Sequence, residues 1–167
     1  MALNAYLELV GQKQGDLHGS VTQKGRETKI MVIAIAHEIT SPRDPASGLP
    51  TGKRLHRPFV ITKELDRSTP LLQSALAQNE NLTKWELQLW TPQIKSATGT
   101  GQEAQHFTVR LTNANIASIT SRMANNKNPE LMRIADQEEV AFTYQRIEWT
   151  WVKGGITAMD DWECPVA

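Results

Sequence analysis

The sequence predicts a mainly β fold: an antiparallel β-barrel, or a tight two-sheet sandwich as the alternative, with one short α-helix. Three observations lead to this prediction. Runs rich in β-branched and aromatic residues recur along the chain, with apolar residues at alternate positions, as in strands with one buried face. Only one stretch, at about residues 69–79, has helical spacing. One long polar segment, residues 41–57, fits neither pattern and is called the arm below.

The composition is that of one globular domain, and we expect residues 1–167 to form it. Hydrophobic residues make up 40% of the chain and charged residues 22%, which argues against disorder. Lys+Arg and Asp+Glu number 18 each, so the charge gives no general case for nucleic-acid binding or membrane insertion. No signal peptide is recognisable at the N-terminus. Cys164 is the only cysteine, which indicates a reducing compartment and no internal disulfide.

The arm lies between two β-rich runs, and a third run precedes them. Ala5–Val10 predicts a first strand, and Thr28–Thr40 predicts one long strand. Because nearly every position of that second run is apolar, we expect both of its faces to be covered. Phe59–Thr62 predicts a strand that pairs with the long one, which makes a hairpin with the arm at its tip. Segments of this length without secondary structure are usually functional or disordered.

The single predicted helix follows the arm. A hydroxyl of Ser68 or Thr69 is expected to cap its first turn, which also accommodates Pro70. The apolar side chains that share one helical face are Leu71, Leu72, Ala75 and Leu76. Asn79–Asn81 is the expected stop.

The second half of the chain predicts further strands. Thr83–Trp90 alternates strictly, residues 92–102 predict a flexible turn, and a slip of alternation at residues 112–113 predicts a bulge. Val140–Val152 is expected to be the last strand, followed by a tail from residue 156. The tryptophans at positions 85, 90, 149, 151 and 162 are interpreted as core or subunit packing, because no basic stripe accompanies them.

No catalytic, metal-binding or cofactor-binding pattern is recognisable, so we predict no such site and no enzymatic activity. The four histidines lack metal-ligand spacing, and His37 is interpreted as a partly buried, hydrogen-bonded side chain. Gly99-Thr100-Gly101 is not a phosphate loop, because no Lys-Ser/Thr pair or helix follows it. Asp160-Asp161 is interpreted as part of a solvated tail and Cys164 as an incidental thiol.

A series of short motifs runs through the chain in a fixed order. They are Pro42-Arg43-Asp44-Pro45, Gly48 to His56, Pro58-Phe59, Thr62 to Asp66, Ser68-Thr69-Pro70, Glu103 to Phe107, Leu111 to Ala114, Tyr144, Ile147 to Trp151 and Asp160-Asp161-Trp162. In their order and spacing, over essentially its whole length, the chain resembles Hcp, the haemolysin-coregulated protein family of the bacterial type VI secretion system.

The resemblance implies a β-barrel subunit of a homo-hexameric ring. Such rings stack into a tube that a contractile sheath propels out of the cell with the spike protein VgrG at its tip. The family also carries small effectors in the ring lumen. The implied localisation is cytoplasmic during assembly and then extracellular or in a target cell, without a signal peptide. The chain resembles the plain tube form, with no C-terminal effector extension. The alternative hypothesis is a monomeric β-barrel that binds a small ligand in its interior.

The resemblance assigns the arm to contacts between subunits and stacked rings. The arm residues expected at this interface are Pro42, Arg43, Asp44, Pro45, Gly48, Pro50, Gly52, Lys53, Arg54 and His56. Since the arm is basic, it needs an acidic partner on a neighbouring subunit. The two candidate acidic patches are Asp136, Glu138 and Glu139, and Asp160, Asp161 and Glu163. The competing interpretation is an arm that is merely solvated.

Overall fold

The computed structural model describes residues 4–93 and 102–163. The predicted turn at residues 92–102 falls largely outside these ranges, and Cys164 falls wholly outside them. The elements of the described residues are β1 Asn4–Gly11, β2 Gly15–Asp16, β3 Ile30–Val32, β4 Ala34–Ala36, β5 Ile39–Thr40, β6 Leu55–His56, β7 Phe59–Glu64, α1 Thr69–Ala77, β8 Leu82–Gln93, β9 Gln102–Thr112, β10 Asn115–Arg122, β11 Gln137–Thr143, β12 Arg146–Trp151 and β13 Ile156–Asp161.

The strands form two antiparallel sheets and one ribbon. The larger sheet has the order β13-β12-β9-β8-β1-β2, and β3 also pairs with β1. The smaller sheet has the order β10-β11-β7-β4, and β5 pairs with β6 in the ribbon. The predicted antiparallel, mainly β fold is therefore confirmed. Among the described residues the pairing leaves two sheets, which corresponds to the sandwich alternative.

The core lies between the inner faces of the two sheets. Trp85 of the larger sheet meets Phe59 and Phe142 of the smaller sheet edge to face, with ring centroids 5.0 and 5.5 Å apart. The other buried residues at its centre include Leu7, Leu9, Ile61, Leu87, Val109, Val140 and Ile147. Side chains thus occupy the space in which the alternative hypothesis places a ligand.

The prediction of one long strand at Thr28–Thr40 is wrong, because the chain changes sheets within it. Ile30–Val32 pairs with β1, whereas Ala34–Ala36 pairs with β7. At the crossing the Ile33 N–H donates to the Thr62 carbonyl at 2.8 Å. The outward-facing residues of this run stay exposed, so the expectation that both faces are covered is also wrong.

A second change of sheet divides the predicted final strand. β11 belongs to the smaller sheet and β12 to the larger, and the break at residues 144–145 accounts for the switch of apolar phase. The bulge predicted at residues 112–113 is likewise a corner. β9 ends there, Asn113 adopts a φ of 52°, and β10 begins in the other sheet. Strands that switch sheets at corners are typical of orthogonally packed sheets.

The segment after residue 156 is a strand and not a tail. β13 pairs antiparallel with β12 along six residues, from Arg146↔Asp161 to Trp151↔Ile156. The turn between them contains Gly154 and Gly155 with φ values of 96° and 65°, a region that glycine enters without a steric penalty.

The predicted helix is confirmed, ending at Ala77, two residues earlier than expected. Leu72 and Ala75 point into the core from its inner face. The expected hydroxyl cap is wrong: the Ser68 side chain makes no capping bond to the helix. Instead, the Asp66 carboxylate accepts hydrogen bonds from the Ser68 N–H at 2.9 Å and from the Ser68 hydroxyl at 2.5 Å.

Candidate functional site

The arm is an ordered hairpin that projects from the sandwich. Its base is the β5–β6 ribbon, in which Ile39 pairs with His56 and Thr40 with Leu55. The predicted pairing of the run before the arm with Phe59–Thr62 is confirmed by β4 and β7, so the arm is the tip of a hairpin. Nearer the tip, the Thr51 N–H donates to the Pro42 carbonyl at 3.0 Å. The arm therefore carries its own hydrogen bonds although most of its side chains are exposed.

Asp44 organises the tip of the arm. Its Oδ2 accepts from the Ser47 N–H at 2.9 Å and from the Ser47 hydroxyl at 2.5 Å. These two hydrogen bonds hold the pKa of Asp44 below its ordinary value. Gly48 follows with a φ of 71°, which allows the chain to reverse there. Asp44 thus stabilises the turn at the tip of the arm.

The outer surface of the arm is both apolar and basic. The side chains of Leu49 and Leu55 are 64% and 54% exposed, and Ile39 at the base is also exposed. Arg43 and Lys53 are exposed among them. The other predicted interface residues that are exposed are Pro42, Pro45, Gly48, Pro50 and Gly52. Exposed apolar side chains of this kind are typical of an interaction surface, because covering them with a partner lowers the free energy.

Arg54 ties the arm to its own subunit. Its Nε donates to Asp160 Oδ2, and its Nη2 donates to the Asp161 carbonyl at 2.6 Å. For Arg54 the predicted contact between the basic arm and the acidic patch thus forms within the chain. The interpretation of Asp160-Asp161 as a solvated tail is wrong, because both lie on β13 and are partly buried.

His56 extends this attachment to a tyrosine at the corner between β11 and β12. His56 Nε2 lies 2.7 Å from Asp160 Oδ2, and His56 Nδ1 lies 2.9 Å from the Tyr144 hydroxyl. The same hydroxyl lies 2.6 Å from His37 Nε2. The interpretation of His37 as partly buried and hydrogen-bonded is confirmed. We call Arg54, His56, His37, Tyr144 and Asp160 the arm anchor.

The electrostatics of the arm anchor follow from its burial. Arg54, and then His56, hold the pKa of Asp160 below its ordinary value, so it stays a carboxylate. Burial, with Asp160 nearby, raises the pKa of the Tyr144 phenol, which therefore keeps its proton. Burial, and then the neighbouring His56, lowers the pKa of His37 and favours its neutral form.

The other predicted acidic patch is partly internal. Glu138 is fully buried, because alternation on β11 turns its side chain inward, and its Oε1 lies 2.6 Å from Lys63 Nζ. It therefore presents no charge at the surface. Asp136 is exposed, and Glu139 faces outward near Arg122. Glu163, in the second patch, accepts a hydrogen bond from Gln145 at 3.0 Å.

Within residues 4–93 and 102–163, no group of three or more histidine, cysteine, aspartate or glutamate side chains is arranged to hold a metal ion. None of the helices in these ranges has the length and apolar character needed to cross a bilayer.

Two facing sheets, a capping helix and an anchored arm define the class of this protein: a β-sandwich subunit with a protruding hairpin. The family model described as "Type VI secretion system effector, Hcp" matches residues 6–151, most of the chain, and the chain therefore belongs to the Hcp family.

Similar proteins agree with this assignment. The "Major exported protein" of Pseudomonas aeruginosa is 41% identical over 176 aligned residues, which cover 100% of this chain and 99% of that protein. A solved structure described as "Crystal structure of Hcp protein" has a TM-score of 0.86 at 29% identity, covering 96% of this chain and 98% of its own. A variant of the Hcp1 protein from E. coli EAEC 042 has a TM-score of 0.82 at 31% identity, covering 96% and 99%. The resemblance seen in the sequence is confirmed.

Proposed function

We propose that this chain is the tube subunit of a type VI secretion system: it closes into hexameric rings, and the rings stack into a tube. The observation that carries the proposal is the arm, an ordered hairpin that is anchored at its base and presents apolar side chains to solvent. A solvated loop has no need of such order, since fixing a residue costs roughly 1–2 kcal/mol of backbone entropy.

The arm is proposed to dock on a neighbouring copy through Leu49, Leu55, Arg43 and Lys53. Arg54 is left out of this contact, because it already pairs with Asp160 in its own subunit. The acidic residues proposed to receive the arm are Asp136, Glu139, Asp161 and Glu163. An arm on one surface that docks on a different surface is a heterologous contact, which closes into rings or extends into filaments.

Two strand edges that have no partner among the described residues give this proposal further support. β10 lies at one end of the smaller sheet and β13 at one end of the larger sheet. Exposed edges of this kind attract other strands, and natural proteins usually cover or charge them. On β13, Ile156 and Met159 are 69% and 63% exposed. A neighbouring subunit that covers such an edge would pair its backbone groups and bury its exposed apolar side chains.

The remaining partners follow from family membership and belong to the same proposal. The tube is propelled by the contractile sheath, carries VgrG at its tip, and holds small effectors in its lumen. Export as part of the tube requires no signal peptide of its own. The printed name of the relative from Pseudomonas aeruginosa, "Major exported protein", supports export of this chain as well.

The test is the native mass of the purified protein by light scattering on a sizing column, with negative-stain images of the peak. We expect six-membered rings with an open centre, and filaments at high concentration. The double variant Arg43→Glu/Lys53→Glu should lose filaments, because the basic arm then repels its acidic partner.

Lys24→Glu/Lys127→Glu is the matched control, since it makes the same charge change at exposed positions outside the arm. Its filaments should resemble those of the unmodified protein. A monomer at all concentrations and salt strengths would overturn the proposal. Equal filament length in both double variants would remove the arm from the contact.

A further inference from the structure

One tyrosine hydroxyl lies between two imidazoles in the arm anchor. The Tyr144 hydroxyl is 2.6 Å from His37 Nε2 and 2.9 Å from His56 Nδ1. His37 precedes the arm and His56 lies on its second strand, whereas Tyr144 belongs to the corner of the sandwich. The hydroxyl therefore joins both strands of the arm to the body of the subunit.

The chemistry of the four side chains determines the direction of each hydrogen bond from Asp160 through His56 and Tyr144 to His37. The carboxylate of Asp160 can only accept, so His56 Nε2 donates to it. Neutral His56 then accepts at Nδ1, and only the Tyr144 hydroxyl supplies a proton there. The tyrosine oxygen is left to accept from His37 Nε2. With both imidazoles neutral, each of these donors and acceptors is satisfied.

A first added proton leaves the chain of hydrogen bonds intact. If it binds His56, both ring nitrogens of His56 donate, one to Asp160 and one to the tyrosine oxygen. The Tyr144 hydroxyl then turns and donates to His37 Nε2, provided that His37 holds its proton on Nδ1. The imidazolium of His56 also faces the Asp160 carboxylate 2.7 Å away.

A second proton breaks the chain of hydrogen bonds. Both imidazoles then direct N–H groups at one tyrosine oxygen, and the hydroxyl proton has no acceptor between them. Two positive rings then lie on either side of the Tyr144 hydroxyl, and Arg54 adds a third positive charge beside Asp160. Across the base of the arm, Arg57 and Glu38 pair with each other at 3.0 Å, and the Asp161 carboxylate accepts from the Glu163 N–H. Of these groups, Asp160 is the carboxylate that contacts the cluster directly, through His56 and Arg54.

We propose that His37, His56 and Tyr144 form a proton-operated latch that holds the arm against its own subunit at neutral pH and releases it in mild acid. The latch is a property of the single chain and holds whether or not rings form. Release requires protonation of the second imidazole.

The direction of the pH dependence follows from His37. Its pKa is lowered in the docked arm from an ordinary value of 6.5, so the docked arm binds fewer protons than the free arm. The stabilisation by the latch is complete above that ordinary value, and it is lost as the pH falls through the lowered one. Between the two values, opening of the arm should increase about tenfold per pH unit.

Hydrogen–deuterium exchange, corrected for the intrinsic effect of pH, measures this opening between pH 8 and pH 5. Peptides from residues 38–57 should lose protection in acid, while peptides from β8 should not. His37→Gln keeps an N–H donor for the tyrosine oxygen and cannot titrate, so its arm should stay protected at pH 5. His18→Gln, at an exposed position, should behave like the unmodified protein.

Tyr144→Phe provides a second variant: it keeps the contacts of Arg54 and His56 with Asp160, so its arm should be less protected than the unmodified arm at pH 8 and should show little further loss at pH 5. Constant protection of the unmodified arm from pH 8 to pH 5 would overturn the latch. The same holds if His37→Gln opens in acid as the unmodified protein does. The native mass of each sample, measured alongside, separates the two proposals: opening of the arm without any change of mass supports the latch and does not depend on ring formation.

Discussion

Two of the charged clusters among the described residues differ in a way that separates what maintains the fold from what positions the arm. Lys63 and Glu138 form an ion pair between β7 and β11 with both side chains fully buried. Asp66 lies 2.9 Å from the same ammonium, and Thr69 Oγ1 lies 2.8 Å from Glu138 Oε1. We call these four residues the inner cluster. The arm anchor is instead partly exposed, with Asp160 at 25% and Arg54 at 21% side-chain accessibility.

The two clusters also differ in their chemistry. The inner cluster contains an ammonium and carboxylates, and Ser68 and Lys63 hold the pKa of Asp66 below its ordinary value although burial opposes this. Asp66 therefore stays a carboxylate near neutral pH. The arm anchor contains two histidines, the side chains that change charge between pH 5 and pH 8. The first cluster thus ties α1 to the smaller sheet permanently, and the second can release what it holds.

The largest expected effect comes from breaking the inner cluster. Lys63→Met should lower the free energy of unfolding by about 3–5 kcal/mol, because it leaves Glu138 as a buried charge without its partner. Urea denaturation at pH 7 measures the loss. Within the described residues the Glu138 Oε2 atom has no hydrogen-bond partner, so the Thr69 hydroxyl would be the side-chain donor left to this carboxylate.

The control is the double variant Lys63→Met/Glu138→Leu, which removes both charges and keeps the volume. It should recover most of the lost stability, since buried pairs and apolar residues of similar size are often equivalent. A double variant as unstable as Lys63→Met would mean that the cost comes from packing and not from the unpaired charge.

An intermediate effect is expected in the arm anchor. Asp160→Asn removes the charge that Arg54 and His56 share, and the unfolding free energy should fall by about 1–2 kcal/mol, because the site is only partly screened by solvent. Trypsin cleavage within the arm, at Arg43 and Lys53, should also become faster.

Asp161→Asn is the neighbouring control. Arg54 reaches Asp161 through its main-chain carbonyl, which this substitution leaves in place. Its effect should stay within about 0.5 kcal/mol. Equal losses for the two variants would show that general charge on β13, and not the contact to Arg54 and His56, holds the arm.

The parts of the fold that sequence could predict are those with local signals. Pro70 and the spacing of the apolar residues predict the helix, and the strands that flank the arm predict its hairpin. β13 was missed because all six of its residues are exposed or only partly buried, so no alternation marks it. It is a strand because it pairs with β12, a contact that no local pattern encodes.

The changes of sheet were missed for a related reason. The run through Ile33 is continuously apolar and has no turn residue, although it crosses from one sheet to the other. The arm anchor is even harder to predict from the sequence, because His56 and Asp160 are 104 positions apart. The signal that could have found it is the change of apolar phase between Tyr144 and Ile147, which places Tyr144 at a corner. The motif residues of the arm were predicted as an interface, but the internal use of Arg54 and Glu138 depends on tertiary contacts.

The smallest expected effect concerns the ion pair that lies at the base of the arm but outside the anchor. Arg57 and Glu38 are 3.0 Å apart, with side chains 61% and 59% exposed. Water and salt screen such a pair, so Arg57→Ala should lower the unfolding free energy by only about 0.2–1 kcal/mol. The loss should be smaller in 0.5 M salt than in 0.05 M salt, because added ions screen exposed charges over roughly 3–10 Å. Urea denaturation at both salt concentrations measures it, with Lys24→Ala as the exposed control. A loss above about 2 kcal/mol, or one independent of salt, would mean that Arg57 belongs to the arm anchor and that the attached part of the arm extends to this ion pair.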